Sequence, residues 1–293
     1  LLPRDEVARA INSEVKAGRG TVHGGVFLDI CTRRDADYIR KRLPSMYHQF
    51  KELAGVDITK EPMEVGPTMH YVMGGVRVDA DSTAATVPGL FAAGEVAGGL
   101  HGSNRLGGNS LGDLLVFGRR AGLHAALYCK NLGGRLTVDG GQIESIARIL
   151  LEPFTRSGGE NPYSIQADLQ DTMHNLVGII RVEAELKEAL QKLQVLKQRA
   201  SRVHVDGGRI YNPGWHVALD LASLLTVSEC CALAALERKE SRGGHTREDH
   251  PYTDDTWGTV NLVSRQQGDR IDLRREPLPQ MPPELKALFQ ERK

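Results

Sequence analysis

The 293 residues carry no net charge, because 37 Lys and Arg are offset by 37 Asp and Glu with ten His counted neutral. Electrostatic capture of nucleic acid needs a positively charged face, so this balance argues against a nucleic-acid partner. Cysteine is scarce. Cys31, Cys129, Cys230 and Cys231 show no CxxC spacing, and an adjacent pair rarely closes on itself. Neither a zinc site nor a disulfide framework is suggested, and a reducing compartment fits. Aromatic residues make up only 5% of the chain. No apolar run lasts the roughly 20 uncharged residues that span a bilayer. The longest, Gly214 to Leu236, is interrupted by Asp220 and Glu229, so no membrane span is predicted. The chain opens at Leu1 with neither Met nor a signal-like apolar segment, which reads as a fragment or a processed product. With 40% hydrophobic and 25% charged residues, the composition is that of a folded globular protein.

Glycine is what the chain has in excess: 32 residues, about 11% against a typical ~7%. Seven of them fall between Gly94 and Gly112. Before this stretch, Val87-Pro88-Gly89 makes a turn and Leu90 to Ala93 reads as a short buried strand stopping at the acidic Glu95. After it, Asp113 to Tyr128 reads as a helix with one apolar face. Strand, glycine loop and helix together bring backbone N–H groups and a helix N-terminus to an anionic or electron-rich ligand. The loop itself, His101-Gly-Ser-Asn-Arg105-Leu-Gly-Gly-Asn109-Ser110-Leu111, is rich in donors. Arg105 suits a bidentate grip on a carboxylate, since its fork matches two oxygens; the plainer alternative is a surface loop with a solvated Arg.

Elsewhere the pattern predicts a helix over Asp5–Ala17 with Asp5 as N-cap, a short strand within Val22–Ile30, and a helix over Arg33–Phe50 interrupted at Pro44. Met69 to Val78 alternates like a strand around Gly74-Gly75. His70 on it reads either as a core histidine or, given the two glycines, as a residue beside a ligand. Ile143–Phe154, Ser164–Val177, Glu183–Val203 and a segment from Pro213 to about Arg238 show helical spacing and predict a bundle. The remainder, charged and Pro-rich near Pro277 to Pro283, reads as a small irregular domain with a strand near Gly258–Ser264. Within it, Arg238 to His250 mixes charges of both signs and reads as a solvated or subunit-facing loop.

Five motifs in order carry a resemblance: Pro3-Arg4-Asp5, His70-Tyr-Val-Met-Gly-Gly, Pro88-Gly-Leu-Phe-Ala-Ala-Gly-Glu95, His101-Gly-Ser-Asn-Arg105-Leu-Gly-Gly-Asn-Ser110-Leu111, and Glu240-Ser-Arg-Gly-Gly-His245-Thr-Arg247-Glu-Asp. Together they resemble the flavoprotein subunit of succinate dehydrogenase and fumarate reductase, over its C-terminal half only. The resemblance implies an α+β chain: residues 1–62 as the end of a capping domain, 63–133 as the C-terminal part of a Rossmann-like FAD-binding domain, 134–239 as a helical domain, and 240–293 as a small C-terminal domain. It implies FAD as cofactor, with Glu95 at the adenosine ribose and Asn109, Ser110 and Leu111 at the flavin. Their backbone N–H groups, with the helix they open, would favour negative charge on the flavin pyrimidine edge. It implies succinate and fumarate as substrates, gripped by His70 and Arg105, with Arg4 moving a proton at one substrate carbon. An Arg in that role needs a cationic neighbour and partial desolvation, since its reference pKa lies above about 12. The implied partners are an iron-sulfur subunit, with a membrane anchor reached through it, and the protein would be peripheral on the cytoplasmic side of a bacterial inner membrane. This chain alone is expected to be inactive. The alternatives are an L-aspartate oxidase-like flavoenzyme and a non-catalytic helical interaction module; Met73 and the segment from His245 to Asp249 favour the dehydrogenase and reductase branch.

Overall fold

The computed structural model describes residues 4–134 and 137–290, and it divides into two compact units, Leu1–Tyr71 and Val72–Lys293.

In the first unit, helix α1 (Arg4–Lys16) already includes Arg4, ahead of the predicted Asp5 start. Asp5 therefore lies inside the first turn, where it pairs with Arg9 at 2.9 Å, rather than at the N-cap. Strands β1 (Val26–Leu28) and β2 (Met63–Val65) form an antiparallel pair with Phe27 opposite Glu64. Between them Pro44 divides the predicted helix in two, as its missing N–H and fixed φ require. Helix α2 (Ala36–Arg42) is capped by the Asp35 side chain, and α3 (Pro44–Ala54) starts on the proline and ends at left-handed Gly55. Ile39, Ile58 and Met63 make a small core, with Tyr47 and Phe50 packed on it.

The second unit opens on irregular chain. The strands expected at Met69–Val78 and Leu90–Ala93 do not form ladders; single bridges join Val76 to Ala97, Val78 to Ala85 and Ala84 to Phe91. Alternating hydrophobicity shows which faces a segment offers, but a strand also needs a neighbour to receive its hydrogen bonds. These segments find only such isolated bridges. Helix α4 (Asn109–Asn131) follows the glycine loop and α5 (Gly140–Thr155) comes next.

The largest core belongs to α6 (Pro162–Leu176), α7 (Glu183–Ala200) and α8 (Pro213–Glu237). Asn161-Pro162 and Asn212-Pro213 start two of these helices in the same way. The Asn side chain accepts a first-turn N–H, and the proline occupies the next position, where no N–H is needed. On α7, Leu186, Ala189, Leu193 and Leu196 recur at three- and four-residue steps and bury against Ile165 and Leu169 of α6 and Leu221, Leu225 and Ala232 of α8. By length and composition alone α8 is able to cross a bilayer. Only 17% of its apolar stretch is buried; its buried leucines and alanines face α6 and α7, and its buried Glu229 takes hydrogen bonds from Gln194 and Lys197. The C-terminal segment contains the predicted strand as β3 (Val260–Gln267) and also β4 (Arg270–Pro277), which pairs with it antiparallel around Gly268, before α9 (Pro283–Gln290).

Leu193 has no exposed surface, whereas Val195, on the same helix, is 54% exposed. Leu193→Ala should lower the free energy of unfolding by about 2–5 kcal/mol, and Val195→Ala by no more than about 0.5 kcal/mol. Denaturant titration followed by circular dichroism reads both, and equal losses would show that the α6–α7–α8 core does not carry the stability of this unit.

Candidate functional site

The glycine-rich segment is assembled by backbone approaching backbone. Val76 N–H donates to the Val96 carbonyl at 2.7 Å, and Gly98 N–H to that of Val76 at 2.9 Å. A Cβ on Gly75 would run into the Val96 carbonyl oxygen. Gly75 therefore clears space for this chain's own backbone, whereas a Cβ on Gly74 would meet nothing within 4 Å. Gly94 makes a second close approach, since its Cβ would lie 2.6 Å from a Leu114 methyl, and this seats the short helical turn Gly94–Val96 on α4.

Glu95 stands exposed in that turn rather than at the end of a buried strand, and its carboxylate accepts the Val72 N–H at 3.0 Å. The loop from His101 to Gly108 leads into α4. Gly108, at φ 83°, is the N-cap, and no side chain caps the helix. Asn109, Ser110 and Leu111 are its first three residues, Asn109 and Leu111 largely exposed and Ser110 half-buried. The first N–H groups of a helix have no partner four residues back. Here those of Asn109 and Leu111 make only turn-like bonds to Leu106 and Gly108, at 3.2 and 3.3 Å. The N-terminus of α4 thus presents backbone donors and the positive end of the helix dipole.

Arg105 is half-buried. Its N–H donates to Met73 Sδ at 2.8 Å and its Nη1 to the Leu106 carbonyl at 3.2 Å. The same loop is tied to α4 by His101, whose Nε2 lies 3.4 Å from Asp113 Oδ2, both side chains nearly removed from solvent. Glu95, Arg105 and Asn109 to Leu111 therefore belong to one locally cross-tied segment of the second unit. Arg4 and His70 lie in the first unit, Arg4 exposed at the start of α1 and His70 exposed on irregular chain after β2, so His70 is neither on a strand nor in a core. Pro3 lies outside the described residues.

The segment from Arg238 to His250 is not a solvated loop. Glu240 is completely buried and bonded to Arg238 at 2.6 Å, to Arg242 at 3.0 Å and to the Asp254 N–H at 2.9 Å. Burial pushes its carboxyl up, but the Arg242, Asp254 and Arg238 hydrogen bonds outweigh that and hold it at about 2. Arg247, also without exposed surface, grips Asp249 through two bonds of 2.8 Å and donates to the Ala235 and Leu236 carbonyls in the last turn of α8. Those Arg247 bonds hold Asp249 at about 2. His245 sits between Arg181 Nη1, 2.9 Å from its Nδ1, and the Arg238 carbonyl, 3.1 Å from its Nε2. A guanidinium only donates, so Nδ1 accepts and Nε2 carries the hydrogen. Burial, with the nearby Arg181, Arg238 and Arg247 charges, lowers the His245 pKa to about 4 and keeps the ring neutral. The signal for this network lay in the sequence as opposite charges two residues apart, Glu240 with Arg242 and Arg247 with Asp249.

Residues 1–111 match the model of an FAD binding domain, and residues 166–288 match that of the fumarate reductase flavoprotein C-terminal region. The chain belongs with the succinate dehydrogenase and fumarate reductase flavoprotein subunits. A CoM/CoB fumarate reductase subunit of Methanothermobacter marburgensis is 41% identical, over 90% of this chain and 47% of the relative. Among solved structures, Mycobacterium smegmatis Sdh1 superposes with a TM-score of 0.90 at 58% identity, covering 99% of this chain and 49% of that one. The flavoprotein of Escherichia coli quinol fumarate reductase gives 0.88 at 34% identity, covering 96% and 50%. The chain thus spans about half the length of the relatives it matches, and both helical and FAD-binding parts of this flavoprotein family are represented in it.

The buried network makes stability fall with acid. His245 titrates near 4 when folded against an ordinary 6.5, so between those values the unfolded chain binds the extra proton and stability declines as pH drops. Glu240 and Asp249 add a second decline between their ordinary values of 4.5 and 3.8 and about 2. Denaturation midpoints should therefore decrease from about pH 6.5 to about pH 4.5 in the parent and be markedly flatter over that window in His245→Gln. An unchanged slope in the variant would assign the acid sensitivity to other groups.

Proposed function

We propose that this chain is the C-terminal part of an FAD-dependent oxidoreductase that interconverts succinate and fumarate. It would contain the end of a capping domain, the closing part of the FAD-binding domain, a helical domain and a small C-terminal domain. The observation that carries the reading is the uncapped first turn of α4, opened by left-handed Gly108 and standing at the end of the loop that holds Arg105. The residues present fit a flavin: partly unsatisfied backbone donors at a helix N-terminus suit an electron-rich ring edge, and an exposed carboxylate in the neighbouring turn suits ribose hydroxyls. Leu111, Leu115, Val116 and Leu123 along α4 are each more than half exposed, an apolar face on which the remainder of such a domain packs in a chain of the relatives' length.

FAD, when bound, supplies hydride acceptance and donation. This chain's residues do the rest. Glu95 accepts hydrogen bonds from the adenosine ribose. Asn109, Ser110 and Leu111 direct backbone donors to the pyrimidine edge of the ring, where the positive end of the α4 dipole favours negative charge. Arg105 grips one substrate carboxylate through its planar fork and His70 binds the other. Arg4 gives a proton to, or takes it from, one of the two central carbons. Electrons leave to an iron-sulfur subunit, through which the protein associates peripherally with a membrane on its cytoplasmic side.

Two substitutions in the full-length flavoprotein test these roles. Arg105→Ala should abolish binding of a non-reactive dicarboxylate, read as a shift of the flavin spectrum, while the flavin stays in place, and Arg105→Lys should rescue poorly because a point charge lacks the fork. A near-normal KM for succinate in Arg105→Lys would remove Arg105 from the grip.

Arg4→Gln should lower kcat about a thousandfold, equivalent to about 4 kcal/mol, while changing dicarboxylate affinity far less than Arg105→Ala does, because a proton carrier acts in the transition state and a grip acts in both states. Substantial turnover in Arg4→Gln would send the proton by another route.

A further inference from the structure

The buried 238–249 segment ends against the loop that carries Arg105. Arg242 and His245 close a tight turn through reciprocal backbone bonds, Arg242 N–H to the His245 carbonyl at 2.8 Å and His245 N–H to the Arg242 carbonyl at 3.1 Å. At its tip Gly244 N–H donates to the Ser103 carbonyl at 2.8 Å, two residues before Arg105. Gly243, at φ 58°, is so close that a Cβ would lie 2.6 Å from the Ser103 carbonyl oxygen and 2.7 Å from its Oγ. A Cβ on Gly244 would stand 3.3 Å from Met73 Cε, the methyl on the sulfur that accepts the Arg105 N–H. Behind the tip the turn is held from several sides. Glu240 fixes Arg242 and Arg238, and the neutral His245 ring is clasped between Arg181 and the Arg238 carbonyl. The turn cannot retreat without breaking bonds to buried charged groups, and each such loss is costly.

We propose that the Gly243-Gly244 turn is a positioning element for Arg105: it fixes Ser103 and Met73 and so sets where the guanidinium fork stands when a dicarboxylate arrives. This rests on Arg105 being the carboxylate grip. It gives the buried 238–249 network a function beyond closing the end of α8, since the network holds the loop in one place from a segment distant in sequence. A fork aimed at two oxygens tolerates little displacement, so a shift of Ser103 by the width of a methyl group weakens the grip without removing any of its atoms.

The test uses a matched pair of glycines in the full-length flavoprotein. Gly268, at the β3–β4 turn, has the same φ of 58°, and a Cβ there meets nothing within 4 Å. Gly243→Ala and Gly268→Ala therefore both place an alanine at a φ of 58°, and only the first adds a collision with Ser103. Gly243→Ala should raise both KM for succinate and Kd for a non-reactive dicarboxylate at least about tenfold, with kcat changed less than about threefold and flavin content unchanged. Gly268→Ala should leave all four at parental values. Should Gly243→Ala fail to fold, Gly244→Ala, whose closest approach is the flexible end of Met73, should show a smaller rise in KM and Kd in the same direction. Parental KM and Kd in Gly243→Ala, or in Gly244→Ala where that variant stands in for it, would overturn the positioning role and leave the grip intact. Unchanged dicarboxylate affinity in Arg105→Ala would overturn the grip itself, and the positioning role with it.

Discussion

A carboxylate with no access to water anchors the second half of this chain. Glu240 is buried to zero exposure, a placement that is untenable for a lone charge, and it is offset by two guanidinium groups and a backbone N–H within 3.0 Å. The consequences spread through those partners. Arg238 also donates to the Trp257 and Val260 carbonyls and stacks on the Trp257 ring, which Arg275 approaches to 4.1 Å, so the β3–β4 hairpin is fastened to the end of α8. Arg242 sets the turn that meets the Arg105 loop. One buried charge thus ties together three pieces of chain.

Glycine does the complementary work at the points of contact. Where two backbones meet, as at Gly75 with Val96 and Gly243 with Ser103, any side chain would occupy the space of a carbonyl oxygen. The high glycine content is consistent with a ligand site, and part of it has this nearer cause. The loop between Gly94 and Gly112 is held by hydrogen bonds and close approaches rather than by a hydrophobic interior, which is why so few aromatics are needed to build it.

The three packed helices were legible in the sequence from leucines and alanines at three- and four-residue steps, helped at α8 by Pro213, which suits a first helical position. The strands were less so. Met69–Val78 has the alternation of a strand but finds only single bridges, whereas Arg270–Pro277 pairs in full although charged residues flank Ile271 and Leu273 in its sequence. Pairing is a property of two segments, and one segment's pattern does not report it. The motif order carried the family resemblance. It did not reveal the burial of Glu240 and Arg247, because mixed charge reads as solvation until the partners two residues away are seen to fold back on each other.

The distribution of protonatable groups divides the labour further. At the N-terminus of α4 the donors are backbone amides, which have no proton to lose in the physiological range, so what they offer a ligand does not vary with pH. Three strongly shifted groups, Glu240, Asp249 and His245, are set in the scaffold behind the Arg105 loop, and each is held in one protonation state at neutral pH. Acid therefore reaches the loop indirectly. Protonating His245 would place a cation against Arg181, and the bond that Nδ1 now accepts would have to be broken. The same charges that tie the scaffold together at neutral pH thus make its stability fall as pH drops.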